Sequence, residues 1–299
     1  MLSFRRKMVA KSVFDLLEEE GAIEVMGCHS PLSARIAEAS GFPALWVSSF
    51  ELSALNGVPD ANFLTMSENL EMIRNICQAV SVPVIADCDS GYGNELNVYR
   101  MVQLYEQAGV SAICLEDNVY PKKCSFYESD ADELVTGQEH ARRIVAAVHA
   151  RRNGLFIIAR TEAFIRNLGI KEALQRAHLY EEAGADAILV HSKKRTDEEI
   201  VAFAKAWDGR VPLVCVPTVY NQYTSGELLE RGYKIVIFAN HGLRASIDAM
   251  KKTFSLIRNN HCTKELDGQI ASLQEVFDLT GVSAMEQLIA SFRSPHDIR

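Results

Sequence analysis

The segment "AGVSAICLEDNVYPKKCSFYE", Ala108 to Glu128, joins three local signals that recur along the chain. Gly109 stands where a helical pattern ends, Ala112 to Leu115 is an apolar run of strand length, and Glu116 and Asp117 open a polar loop. A run that is apolar throughout reads as a strand covered on both faces, because a half-solvated strand alternates apolar with polar residues. The stretch "AGADAILVHSKK" (183–194) repeats the arrangement.

Working outward, similar runs lie at 23–28, 44–49, 82–88, 155–161, 187–192, 211–216 and 234–239, which with 112–117 makes eight. Helical periodicity fills the intervals, as in Leu70, Ile73, Ile76, Cys77 and Val80, or Ala173, Leu174, Ala177, Tyr180 and Ala183. Eight buried strands alternating with helices predict an α/β fold, a (β/α)8 TIM barrel forming a single domain over 1–299. A doubly wound open sheet is the alternative, but no dinucleotide glycine fingerprint follows the first run. Residues from about 250 onward contain no further strand, and they read as a C-terminal helical extension outside the barrel or on a partner subunit.

Composition narrows the function. At 48% hydrophobic residues the chain can build a full core, and no window approaches about 18 uninterrupted apolar residues. The segment "MLSFRRKMVAKSVFDLLEEE" has no apolar stretch before its acidic run, so it does not read as a targeting signal. Seven singly scattered cysteines without metal-ligand spacing suit reduced thiols, and the expectation is a soluble, cytoplasmic protein. A net charge of -8 disfavours nucleic acid as a partner, the lack of a long apolar window leaves no membrane partner expected, and any anionic substrate needs local cations.

In such barrels the chemistry sits at the C-terminal ends of the strands. Those positions hold Ser48 and Ser49, Asp87 and Asp89, Glu116 and Asp117, Arg160 and Glu162, His191 and Lys193, and Asn240 and His241. Asp87, Asp89 and Glu116 are oxygen donors on adjacent strands, which suits Mg2+ or Mn2+ held by one or two carboxylates with water. The bland alternative has Asp89 starting the turn "DSGYGN" and Glu116 pairing with a lysine. Arg160, His191 and Lys122 supply donors for a phosphate-like or carboxylate group. Taken alone, His191 reads as a hydrogen-bonded core histidine, whereas a guanidinium ending "LFIIA" needs a partner in the barrel mouth.

The stretches "IADCDSGYGN", "LEDNVYPKKCS", "IARTEAFI", "AGADAILVHSKK", "VPLVCVPTVY" and "ANHGLRAS" resemble the phosphoenolpyruvate mutase and isocitrate lyase superfamily over about residues 20–280. "SSFELSALNGVPDAN" looks most like its phosphonopyruvate hydrolase branch. The resemblance implies a Mg2+-dependent barrel whose last helix is exchanged in a homodimer or homotetramer, acting on a short α-keto acid or phosphonate. It implies that Asp87 holds the metal, with Asp89 and Glu116 direct or through water. The Ser48 hydroxyl and the backbone amides of Ser49 and Phe50 would bind the pyruvyl part. Arg160, His191 and Ser125 would grip the phosphonyl group, beside Asp60 and Lys122 on loops 56–62 and 117–130 that close over it.

Two departures separate the branches. Where the mutase has a lysine after Glu-Asp and an asparagine before serine, this chain has Asn118 and Cys124. A thiol is a weak donor to a phosphoryl group in transit, which argues for hydrolysis over mutase activity. The lyase branch carries Lys-Lys/Arg-Cys-Gly-His and uses its cysteine as an acid; here Cys124 is kept, followed by Ser125 and Phe126. Flanked by Lys122 and Lys123, Cys124 is expected either to have a lowered pKa or to serve only for fit.

Overall fold

The computed structural model describes residues 11–127 and 134–292. The first ten residues, the last seven and residues 128–133, which include the end of the expected closing loop, lie outside the described residues.

Eight strands, β1 (Ile23–Cys28), β2 (Ala44–Val47), β3 (Val84–Asp87), β4 (Ala112–Glu116), β5 (Phe156–Thr161), β6 (Ala187–Val190), β7 (Leu213–Cys215) and β8 (Tyr233–Phe238), pair in parallel in chain order, and β8 closes on β1. Most of the expected strand runs are trimmed by a residue or two at an end, most visibly at Ser49, which belongs to helix Ser49–Leu55, whereas β1 matches its run and β8 begins one residue earlier. The helix preceding β4, Glu95–Ala108, ends at Gly109, whose φ of 94° is the left-handed conformation that costs glycine least. Helix Met66–Ala79 starts in a capping box between Thr65 and Glu68, worth about 1 kcal/mol.

Side-chain alternation divides the strands into two rows. The row Val25, Trp46, Ile85, Cys114, Ile158, Leu189, Val214 and Ile237 fills the barrel interior. The other row, with Leu45, Ala86, Ile113, Leu115, Ile157, Ala159 and Ile188, packs with the surrounding helices. Both clusters are essentially dry, so each strand is covered on both faces, which is why the sequence shows apolar runs.

The described residues fall into two compact units: the barrel, Lys11–His241, and the chain from Gly242 on. The second unit is helical, comprising nearly all of His241–Asn260, then Leu273–Thr280 and Val282–Phe292. Among the described residues no helix is long and apolar enough to cross a membrane. No disulfide joins the described cysteines; Cys28, Cys88, Cys114, Cys124 and Cys215 are buried thiols and Cys262 is exposed.

Candidate active site

Extending the interior row by one more position explains the charges at the mouth. Two residues beyond Trp46, Ile85, Cys114, Ile158 and Leu189 lie Ser48, Asp87, Glu116, Arg160 and His191, so period-two alternation turns them inward. Glu116 and Arg160 are directly paired across β4 and β5, and Arg160 Nε lies 3.4 Å from Glu116 Oε2. All of these side chains are buried.

The paired acids after β4 part company for the same reason. Glu116 faces the mouth, while Asp117 follows the outer row and accepts hydrogen bonds from Thr161 Oγ1 (2.9 Å), Tyr180 Oη (2.7 Å), Arg176 Nη1 (3.1 Å) and the Glu162 amide (2.9 Å). Burial pushes the Asp117 carboxyl up, against the pull of Arg176. Asp117 is a brace that fixes the chain after β5.

That brace holds Glu162, a rim residue to which the sequence reading gave no role. Its Oε1 accepts from Arg160 Nε and lies 3.0 Å from His191 Nδ1, and its Oε2 accepts from Ser125 Oγ at 2.6 Å. Arg160 Nη2 lies 2.8 Å from His191 Nδ1 and donates to Ser125 Oγ at 3.0 Å. Burial works against the Glu162 charge, but Arg160 and His191 outweigh it and hold the carboxyl well below the usual range. The three expected phosphonyl binders, Arg160, His191 and Ser125, therefore converge on one buried carboxylate. Position two residues beyond Arg160, on the same inward row, was the available signal. Phe126 adds an edge-on ring contact to His191, with centroids 5.7 Å apart.

On the other side of the mouth stand the remaining acids. Ser49 Oγ donates to Asp87 Oδ2 (3.3 Å), and the Asp89 amide donates to Asp87 Oδ1 (3.3 Å), both long contacts. Asp89 has a φ of 51°, so it does start the turn, and its side chain returns to the mouth. Lys122 is not with the Arg160 group: its Nζ lies 2.9 Å from both Asp60 Oδ2 and Asp89 Oδ1 and 3.4 Å from Ser49 Oγ. Burial disfavours its charge, but Asp89, Glu116, Asp60 and Asp87 raise the pKa well above the ordinary value. Asp60 in turn is shifted up, by burial first, with Lys122 opposing. Glu116 pairs with Arg160 rather than with a lysine, and Asn118 Nδ2 donates to its Oε1 at 2.9 Å.

Ser48 precedes helix Ser49–Leu55 without spending its hydroxyl on a cap, leaving it and the amides of Ser49 and Phe50 at the start of that helix. Lys193 and His241, also at strand ends, are exposed and contribute nothing to these hydrogen bonds. Cys124 corrects an expectation. Burial pushes its thiol up to about 11, outweighing the downward pull of Lys122, so the pKa is raised rather than lowered. Its amide is tied to the Asp60 carbonyl at 3.0 Å.

The donor set fits a hard divalent cation. Burial, then the charge of Asp89, pushes Asp87 up to about 7, and Asp89 Oδ1 is a buried oxygen with no aligned hydrogen bond despite the nearby ammonium. Both are signs of negative charge that the protein alone under-compensates. Among the described residues no three His, Cys, Asp or Glu side chains are drawn together tightly enough to enclose an ion by themselves. A stability consequence follows. An acid whose folded pKa is raised contributes stability that is complete below its unfolded pKa of about 4 and is lost as pH rises through about 7. In EDTA, Asp87→Asn should therefore melt higher relative to wild type at pH 8 than at pH 5; parallel melting curves at both pH values would show that Asp87 does not titrate there.

Comparison with known proteins agrees with the fold. Residues 14–258 match the model of the phosphoenolpyruvate phosphomutase family. The chain is 46% identical over 269 residues to the phosphonopyruvate hydrolase of Variovorax sp. (strain Pal2), covering 89% of this chain and 93% of that one. A solved phosphoenolpyruvate phosphomutase from Streptomyces platensis subsp. rosaceus superposes with a TM-score of 0.92 at 41% identity, over 94% of this chain and 98% of its own. A phosphonopyruvate hydrolase in complex with oxalate and Mg++ gives 0.88 at 44%, over 93% and 96%. With its closed barrel, its acids and its cations gathered at one mouth, the chain is an enzyme and belongs to the phosphoenolpyruvate phosphomutase family.

Proposed function

We propose that the enzyme cleaves the carbon–phosphorus bond of 3-phosphonopyruvate to give pyruvate and phosphate. The observation that carries this reading is the convergence of Arg160, His191 and Ser125 on Glu162, a pre-built donor cluster for a phosphonyl dianion beside an acidic centre. The 46% identity to a phosphonopyruvate hydrolase supports the same choice.

In this reading the Ser48 hydroxyl and the Ser49 and Phe50 amides receive the pyruvyl carboxylate, as helix-start donors receive anions. Asp87, with Asp89 and Glu116, would hold Mg2+ or Mn2+, which as a Lewis acid supplies stabilisation of negative charge at the keto oxygen. Arg160, His191 and Ser125 orient the phosphonyl oxygens and offset charge on them in a loose transition state. The carbon–phosphorus electron pair becomes the enolate, a water oxygen bonds to phosphorus and gives up a proton, and one proton added at C3 completes pyruvate, so that the atoms of one water are consumed. Asp60 and Lys122, 2.9 Å apart, would orient the attacking water. Exposed apolar side chains on the helical second unit, among them Phe254, Leu273 and Phe292, support assembly as a homodimer or homotetramer.

Cys124 favours a second reading, a carbon–carbon lyase acting on a 2-substituted malate. A thiol with a pKa pushed up to about 11 is fully protonated at neutral pH, the state required of an acid that delivers a proton to an enolate. The test is incubation with Mg2+ and, separately, 3-phosphonopyruvate, phosphoenolpyruvate and 2,3-dimethylmalate, followed by 31P and 1H NMR. Phosphate plus pyruvate from the first substrate alone is the expected result. Phosphoenolpyruvate without phosphate would establish a mutase, and an α-keto acid plus a second carboxylic acid from the malate a lyase. Cys124→Ser should leave a hydrolase with substantial activity but cost a lyase roughly 100-fold or more, since it removes the acid.

A further inference from the structure

The loops that carry Asp60 and Lys122 meet at one side chain to which no role has yet been given. Asn62 Nδ2 donates to Asp89 Oδ2 at 2.8 Å, and Asn62 Oδ1 accepts from the Lys122 amide at 2.5 Å. A carboxylate only accepts and a backbone N–H only donates, so the amide has a single orientation that satisfies both. Around this bridge the Cys124 amide donates to the Asp60 carbonyl at 3.0 Å, and the Asp60 amide donates to Tyr127 Oη at 3.2 Å. Asn62 has a φ of 52°, a left-handed conformation that asparagine tolerates better than most residues.

We infer that Asn62 is a positioning residue that sets, through one amide, both the orientation of the Asp89 carboxylate and the place of the Lys122 backbone. The ammonium of Lys122 is thereby delivered between Asp60 and Asp89, 60 residues away in sequence from the loop that anchors it. Without Asn62, Asp89 loses the donor to its Oδ2, and the segment bearing Lys122 loses its tie to the acidic side of the mouth. This role rests on the function proposed above, but its structural content does not depend on the substrate.

The test compares Asn62→Gly with Asn62→Ala in the full-length, metal-free protein by amide hydrogen exchange. Glycine keeps the left-handed backbone and removes only the side chain, whereas alanine also strains the backbone. Loss of two hydrogen bonds, one to a charged group, should speed exchange at the Lys122 and Cys124 amides roughly 10- to 100-fold in both variants. The β4 amides, which report overall folding, should stay protected. With phosphonopyruvate and Mg2+, kcat should fall by a similar factor with KM little changed, because positioning rather than binding is lost. Wild-type protection of Lys122 and Cys124 in Asn62→Gly overturns the assignment, whatever Asn62→Ala does. If the wild-type protein leaves phosphonopyruvate intact, the functional reading fails, yet the exchange result still decides the role of Asn62.

Discussion

Arg160→Met should lower kcat/KM for phosphonopyruvate by about 1,000-fold, the upper range for losing a buried donor aimed at developing charge. Arg160 is the hub of the cationic side: its guanidinium reaches Glu162, Glu116, Ser125 and His191 at once. Its removal also leaves Glu116 and Glu162 buried without their main counter-charge, so the variant should lose about 3–5 kcal/mol of stability. Arg160→Lys separates the two effects. A lysine restores charge and therefore much of the stability, but it lacks the fork that holds Ser125 and His191 in place, so activity should stay low. Steady-state kinetics with urea denaturation decides this, and a kcat/KM within tenfold of wild type for Arg160→Met would remove the phosphonyl site from this part of the mouth.

Lys122→Met should be the other severe variant, and its defect should depend on metal and pH. Lys122 Nζ is the cation that lies against Asp60 and Asp89, and its own raised pKa reflects four surrounding acids. Replaced by methionine, it leaves Asp60, Asp87 and Asp89 to repel one another, at a cost of about 3–5 kcal/mol in EDTA at pH 8. Burial already holds the Asp60 carboxyl above its ordinary range and pushes Asp87 up to about 7, so lowering the pH from 8 to 5 should protonate Asp87 and recover stability. Saturating Mg2+ should recover stability too, because a ligand of the folded state stabilises it by mass action. Thermal melts at pH 5 and pH 8, each with EDTA or Mg2+, provide the four readings. A variant that melts with wild type in EDTA at pH 8 would mean that the ammonium does not offset these acids.

The barrel itself was legible from local pattern, because strand burial and helix periodicity are properties of neighbouring residues. Uninterrupted apolar runs such as Ala112–Leu115, each after a helix and before a polar loop, are enough to require strands covered on both faces. The same parity that places Ile85, Cys114 and Ile158 inside the barrel carries Asp87, Glu116 and Arg160 to its mouth, so those candidates too followed from the order of residues. Parity even separates Glu116 from Asp117, once the strand end is known.

Partners across the mouth were decided by the tertiary structure. No spacing rule connects Asn62 with Lys122, or Ser125 with Glu162, because those contacts exist only where separate loops converge above the barrel. The titration of Cys124 is the clearest case: two lysines precede it, and the sequence left open either a lowered pKa or a side chain serving only for fit. In the folded chain the thiol is buried, and the cost of placing a thiolate out of water exceeds the attraction of Lys122, whose charge is already engaged by Asp60 and Asp89. Side-chain alternation acts over two residues and is written in the sequence, whereas electrostatic environment sums over everything the fold brings near.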